Sequence, residues 1–118
     1  MTELVALLST GKGTWSEVIK LMSSQEWDKI FLITNEFGST TFKKNENMEF
    51  IVVNSNESIE LLIDNVQKQI KDKITGTEVA LNLVSGTGKE HMAVISALLK
   101  LGLGIRLVVH TINGVKEI

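Results

Sequence analysis

Short apolar strands alternating with amphipathic helices predict an α/β protein. The expected architecture is a three-layer sandwich, with helices on both faces of a mostly parallel five-stranded sheet that ends in an antiparallel edge hairpin. Three observations carry this. Five apolar runs (residues 4–8, 30–34, 50–54, 79–84 and 105–110) are mostly continuous rather than alternating, as strands covered on both faces read. Between them, apolar residues recur at helical spacing. Near the end, an Asn-Gly pair marks a hairpin turn.

Taken in order, 4–8 is the opening strand. In the segment after it, Trp15, Val18, Ile19 and Met22 recur at i, i+3, i+4 and i+7, with Thr14 as the expected N-cap and Glu17 completing a capping box. Trp15 reads as core or dimer interface before base stacking, and Trp27, just ahead of the second strand, as packing. Residues 38–47 fit either a short helix or an irregular crossover. After the third strand, Asn54-Ser55-Asn56 opens a helix carried by Ile59, Leu62, Ile63, Val66 and Ile70. Met92, Ile95, Leu98 and Leu99 mark the next helix, stopped by Gly102. In the fifth run, Arg106 suits a strand near the sheet edge, and His110 closes it as a structural residue. Ile112-Asn113-Gly114-Val115 then turns the chain back into an edge strand over 115–118.

The chain has 118 residues, enough for one domain over 1–118. It has no Cys, which excludes disulfides, thiol catalysis and thiolate metal sites. With His91 and His110 as the only histidines, no metal centre is expected, and no cofactor is called for. Twelve basic against fourteen acidic residues give a formal charge of −2, so no bulk field draws in long nucleic acid. A bound polyanion must be held by local geometry. The start, Met1-Thr2-Glu3, is acidic, the run 4–8 is too short for a signal core, and nothing approaches the ~18 apolar residues of a membrane span. A cytoplasmic protein without membrane association is expected.

Right-handed crossovers wind such a sheet in the Rossmann-type order 3-2-1-4-5. The first and fourth strands then lie side by side at the switch point, beyond whose carboxyl ends ligands bind. Two glycine-rich turns follow those two strands. The first is Ser9-Thr10-Gly11-Lys12-Gly13-Thr14; the second runs Asn82-Leu83-Val84-Ser85-Gly86-Thr87-Gly88-Lys89-Glu90-His91-Met92. Small residues let backbone approach a ligand, and free N–H groups at the next helix start favour an anion. Lys89 supplies a point charge for a phosphate, and Glu90 suits a helix cap. A nucleoside-triphosphate loop is excluded, because Glu90 follows Gly88-Lys89 and Leu83 stands where the first glycine belongs. Gly11, Gly13 and Ser16 partly match the dinucleotide fingerprint, with Asn35 or Glu36 where its ribose-binding acid belongs. A nucleotide- or dinucleotide-binding protein is therefore the alternative.

The stretch from Leu4 to Gly11, with Asn82 to Met92, resembles the CARF family, the Rossmann-like sensors of cyclic oligoadenylates in the antiviral defence of type III CRISPR systems. The second stretch is similar to that family's Asn…Thr/Ser-Gly-Gly/Thr-x-Lys-x-x-Met signature, with Gly88 as an addition between Thr and Lys. The resemblance implies a homodimer that binds cyclic oligoadenylate, tetra-adenylate by preference, across its two-fold axis. Members are generally joined to an effector domain, and 118 residues leave no room for one. The expectation is a stand-alone sensor or a ring nuclease, which cleaves the ring without metal. By resemblance, Lys89 stabilises the phosphorane charge and Ser9 or Thr10 positions the phosphate. Gly11, Lys12, Gly13, Asn82, Ser85, Gly86, Thr87, Gly88, His91 and Phe37 are the candidate ligand-binding residues. The plainer readings are surface charge for Lys12 and Lys89, capping and turning for Ser9 and Thr10, and a helix-surface or interface role for His91. A regulatory subunit with a vestigial pocket is the remaining alternative.

Overall fold

The computed structural model describes residues 2–9, 12–42 and 44–118. The elements run β1 (Glu3–Leu8), α1 (Lys12–Ser23), β2 (Lys29–Thr34), α2 (Glu36–Thr41), β3 (Met48–Val52), α3 (Ile59–Ile70), β4 (Glu78–Asn82), α4 (Gly88–Lys100), β5 (Gly104–Thr111) and β6 (Gly114–Glu117). Among the described residues the sheet has six strands, ordered β3-β2-β1-β4-β5-β6. The first five strands of the chain are parallel and β6 is antiparallel to β5. The expected order therefore holds, but the sheet is six-stranded rather than five-stranded. The hairpin's return segment makes its own ladder, pairing Val108 with Glu117 through Thr111 with Gly114.

All six residues of β1 are buried, the mark of a central strand covered on both faces. Leu4, Ala6 and Leu8 point into a core with Val18 and Leu21 of α1, while Val5 and Leu7 point into one with α3 and α4. Glu3 opens this strand as a buried carboxylate that composition does not anticipate. It accepts hydrogen bonds from the backbone N–H groups of Thr75 (3.1 Å) and Gly76 (2.9 Å), tying the segment before β4 to the sheet.

Several boundaries move for local reasons. α1 begins at Lys12, so Thr14 lies inside the helix instead of capping it, and Glu17 pairs with Lys20 one turn on. α2 is a short helix capped by Asn35, whose Oδ1 accepts from Gly38 N at 2.8 Å; of the segment read as helix or crossover it takes residues 38–41, and 42 and 44–47 are not helical. α3 is capped by Ser58 rather than by the Asn54 cluster. β3 sits two residues earlier than the apolar run, because Met48 belongs to the core. β4 stops at Asn82, whose Oδ1 takes the N–H of Val84 at 3.2 Å and turns the chain out of the ladder.

The helix predicted from Met92, Ile95, Leu98 and Leu99 is α4, but its buried stripe is Ala93, Val94, Ala97 and Leu98. Ala93 and Ala97 lie in this buried stripe, where α4 packs against α3, and the bulky Met92 (65% exposed) and Leu99 (60%) face outward. Arg106 on β5 bridges Glu78 of β4 and Glu117 of β6, as a charge near the sheet edge should. In the hairpin, Ile112 and Asn113 form the turn and Gly114 closes it with φ +94°, a conformation that favours glycine. No helix among the described residues is long and apolar enough to cross a membrane.

Candidate functional site

β1 and β4 are parallel neighbours, and the segments leaving their carboxyl ends meet. The backbone N–H of Ser9 donates to Ser85 Oγ at 3.3 Å, and both residues are buried. The carbonyl of Ser9 accepts from the indole Nε1 of Trp15. Trp15 therefore serves the crevice and not only the core, and its ring lies 6.4 Å from that of the exposed Phe37, at the start of α2. Ser85, Ser9, Trp15 and Phe37 thus follow one another along the carboxyl edge of the sheet.

The second glycine-rich turn is braced from within. Thr87 caps α4 in a reciprocal box: Thr87 Oγ1 accepts from Glu90 N at 3.2 Å, and Glu90 Oε1 accepts from Thr87 N at 2.7 Å. Glu90 is buried, so its carboxylate is turned into the loop rather than toward an incoming ligand. His91 donates from Nε2 to the carbonyl of Ser85 at 2.8 Å; a carbonyl only accepts, so Nε2 carries the proton. Gly86 has φ +108°, and a Cβ there would lie 3.0 Å from Leu7 Cδ2 and 3.1 Å from His91 Nε2. That glycine is required by the loop itself. Gly88 differs: a Cβ on it would meet nothing within 4 Å.

The predicted residues divide accordingly. Ser9, Ser85, Gly86, Thr87 and His91 are drawn together around the switch point. Asn82 is buried below them as a tether, its Nδ2 donating to the carbonyl of Val108 on β5 at 2.9 Å. Lys89 reaches sideways: its Nζ donates to the carbonyl of Ser55, in the connection between β3 and α3, at 3.1 Å. Lys12 and Gly13 belong to the first turn of α1, not to a loop. The expectations placed on Thr10 and Gly11, and on the side chains of Lys12 and Gly13, lie outside the described residues.

Beyond Phe37, Asn35 and Glu36, which the partial dinucleotide fingerprint singled out, face Asn54 and Glu57 across a cavity of about 650 Å³. Sequence reasoning passed over the far wall, where the Asn54-Ser55-Asn56 cluster was read as a helix entry and Glu57 was not singled out. Among the described residues the assembled edge offers small polar groups, backbone N–H groups at the start of α4, the rings of Trp15 and Phe37, the carboxylates of Glu36 and Glu57, and Lys89. Helix-start N–H groups are of the kind that hold an anion, and aromatic rings of the kind that pack against a flat ring. No protein-family model matches this chain, and no curated protein matches it.

Proposed function

We propose that this protein binds a cyclic oligoadenylate, cyclic tetra-adenylate by preference, at the carboxyl ends of β1 and β4, as the resemblance to the CARF family implies. The observation that carries the reading is the Ser9–Ser85 hydrogen bond, which joins the ends of the segments leaving β1 and β4 at the switch point. Gly88 adds to it. Glycine in the first turn of a helix is costly to order, and no internal contact here calls for it. Close approach of a ligand supplies the missing reason. The N–H groups of Gly88 and Lys89 lie at the positive end of α4, where a phosphate is stabilised.

One subunit presents a crevice smaller than a ring of four nucleotides, so the site is completed by a second copy about a two-fold axis. The exposed Met92 and Leu99, with Ile95, line a shallow apolar groove on α4 that suits such an interface. Turnover is a second step of the same reading. A ribose 2′-oxygen attacks the adjacent phosphorus, the P–O5′ bond breaks, and the 2′-proton passes to the leaving 5′-oxygen, giving a cyclic 2′,3′-phosphate. The protein's part is to hold the sugar in line and stabilise the phosphorane charge. Lys89 takes that role by leaving the Ser55 carbonyl, a single exposed hydrogen bond whose loss costs about 1 kcal/mol.

The test is incubation of the purified protein with cyclic tetra-adenylate in EDTA, followed by chromatography, alongside thermal shift with the same ligand, NAD and ATP. A rise in melting temperature with the ring and a linear product support binding and cleavage. A rise with unchanged ligand leaves a sensor. A shift with NAD or ATP alone favours the dinucleotide reading, and no shift with any of them ends the ligand assignment.

A further inference from the structure

The cavity beyond the switch point has a chemistry of its own. Its volume, about 650 Å³, falls in the range of small-molecule sites. It opens at the carboxyl ends of β2 and β3 and, among the described residues, its wall carries Glu36 and Glu57 but no Lys, Arg or His. Two carboxylates on the wall repel an anion, so the phosphate part of a ligand is better placed outside. The free hydrogen-bonding groups define what does. Glu36 has no side-chain partner among the described residues. Glu57 uses one oxygen to accept from Asn65 Nδ2 at 3.1 Å, leaving the other free. Asn35 commits its Oδ1 to Gly38 N and Asn54 its Oδ1 to Asn56 N, so the amide NH2 of each is left to donate. Phe37 and Val53 add an aromatic ring and an apolar wall.

We infer that this cavity takes a nucleoside, with the ribose hydroxyls donating to Glu36 and Glu57 and the base lying against Phe37. Carboxylates are the acceptors that suit a vicinal diol, and a flat heterocycle suits the aromatic and apolar side. Lys89 is correctly placed for the rest of a nucleotide. Lys89 Nζ rests on the carbonyl of Ser55, the residue after Asn54, so it stands at the cavity's rim and not within it. A phosphate attached to the sugar would meet Lys89 outside while the nucleoside fills the interior. The inference rests on the reading above only in taking the base as adenine.

The experiment is a titration of ¹⁵N-labelled protein with adenosine, with ribose alone in parallel, followed by amide chemical shifts. Adenosine is expected to move Asn35, Phe37, Val53 and Asn54, and ribose to bind at least tenfold more weakly. Glu36→Gln breaks no native hydrogen bond and should weaken adenosine binding about tenfold; adding Glu57→Gln should weaken it further. Shifts centred on 85–89 with the cavity amides still, equal binding of ribose, or undiminished binding by the double variant each overturn the proposal. Cyclic tetra-adenylate separates this failure from that of the wider reading. Tight ring binding that the double variant does not weaken removes the cavity and leaves the switch-point site, whereas adenosine in the cavity without ring binding does the reverse.

Discussion

Thr34 ends β2 with a buried hydroxyl whose Oγ1 has no hydrogen-bond partner among the described residues. Gly38 packs directly over it: a Cβ on Gly38 would lie 1.9 Å from Thr34 Oγ1. An unpaired buried hydroxyl is costlier than a methyl of the same size, so Thr34→Val should raise stability by about 1 kcal/mol in urea unfolding. Gly38→Ala should lower it by roughly 1–3 kcal/mol, and Thr34→Ala in that background should restore part of the loss, since the two sites share one contact. The glycines of the second turn separate fold from function in the same way. Gly86→Ala meets both a positive φ and crowded neighbours and should cost about 1–3 kcal/mol. Gly88→Ala has open space and a helical position, so it should leave stability unchanged or raise it by up to ~1 kcal/mol. If Gly88 serves a ligand, that variant loses cyclic tetra-adenylate binding at least tenfold while remaining folded; full binding would return Gly88 to an incidental role.

At the scale of elements, α4 depends on its entry. Thr87→Ala removes the acceptor for Glu90 N and should cost about 1 kcal/mol. Glu90 Oε1 keeps the backbone N–H of residue 87, which the substitution does not remove, so the carboxylate stays turned into the loop. On the other flank, Glu49 of β3 pairs with Lys73 and with Lys29 of β2. The hydrogen bond from Lys73, helped by the charges of Lys73 and Lys29 against the cost of burial, holds its carboxyl below the ordinary value of 4.5. A depressed folded-state pKa means the native chain binds fewer protons than the unfolded one. The stabilisation is therefore complete above that ordinary value and is lost as pH falls through the lowered one. Because the pair is partly exposed, its worth is at most about 1 kcal/mol and shrinks with salt. The urea midpoint of Lys73→Met should accordingly fall below that of the parent chain near neutral pH and converge with it in acid. A gap that persists unchanged in acid would assign Lys73 a role other than this pair.

For the whole molecule, the central prediction is assembly. A ring-binding site shared by two copies requires a dimer in solution, and scattering should give about twice the 13.0 kDa of one chain. Met92→Lys with Leu99→Lys places charge on an already exposed face, so it should leave the fold intact and yield monomers. Monomeric parent protein would remove the shared site. Much of this architecture is legible in the sequence because it rests on local chemistry. Continuous apolar runs mark the buried strands, Ile59 to Ile70 marks its own helix face, and Asn113-Gly114 marks the hairpin. The meeting of the segments that leave β1 and β4 follows from strand order alone. Other features depend on packing at a distance. The sequence highlights Met92 and Leu99 because they are large, yet the packing of α4 against α3 buries Ala93 and Ala97 instead. Glu3 reads as a surface acid until the backbone of Thr75 and Gly76 arrives to donate to it. Lys89 reads as a switch-point cation until Ser55, far along the chain, accepts a hydrogen bond from it. What the sequence by itself determined was the α/β class, the strand order and the turn after β4, because periodicity and crossover handedness act over short segments. Only the tertiary structure decided which helix face is buried, which polar side chains brace the turn, and where a cavity lies, because each depends on groups that chain folding alone brings together.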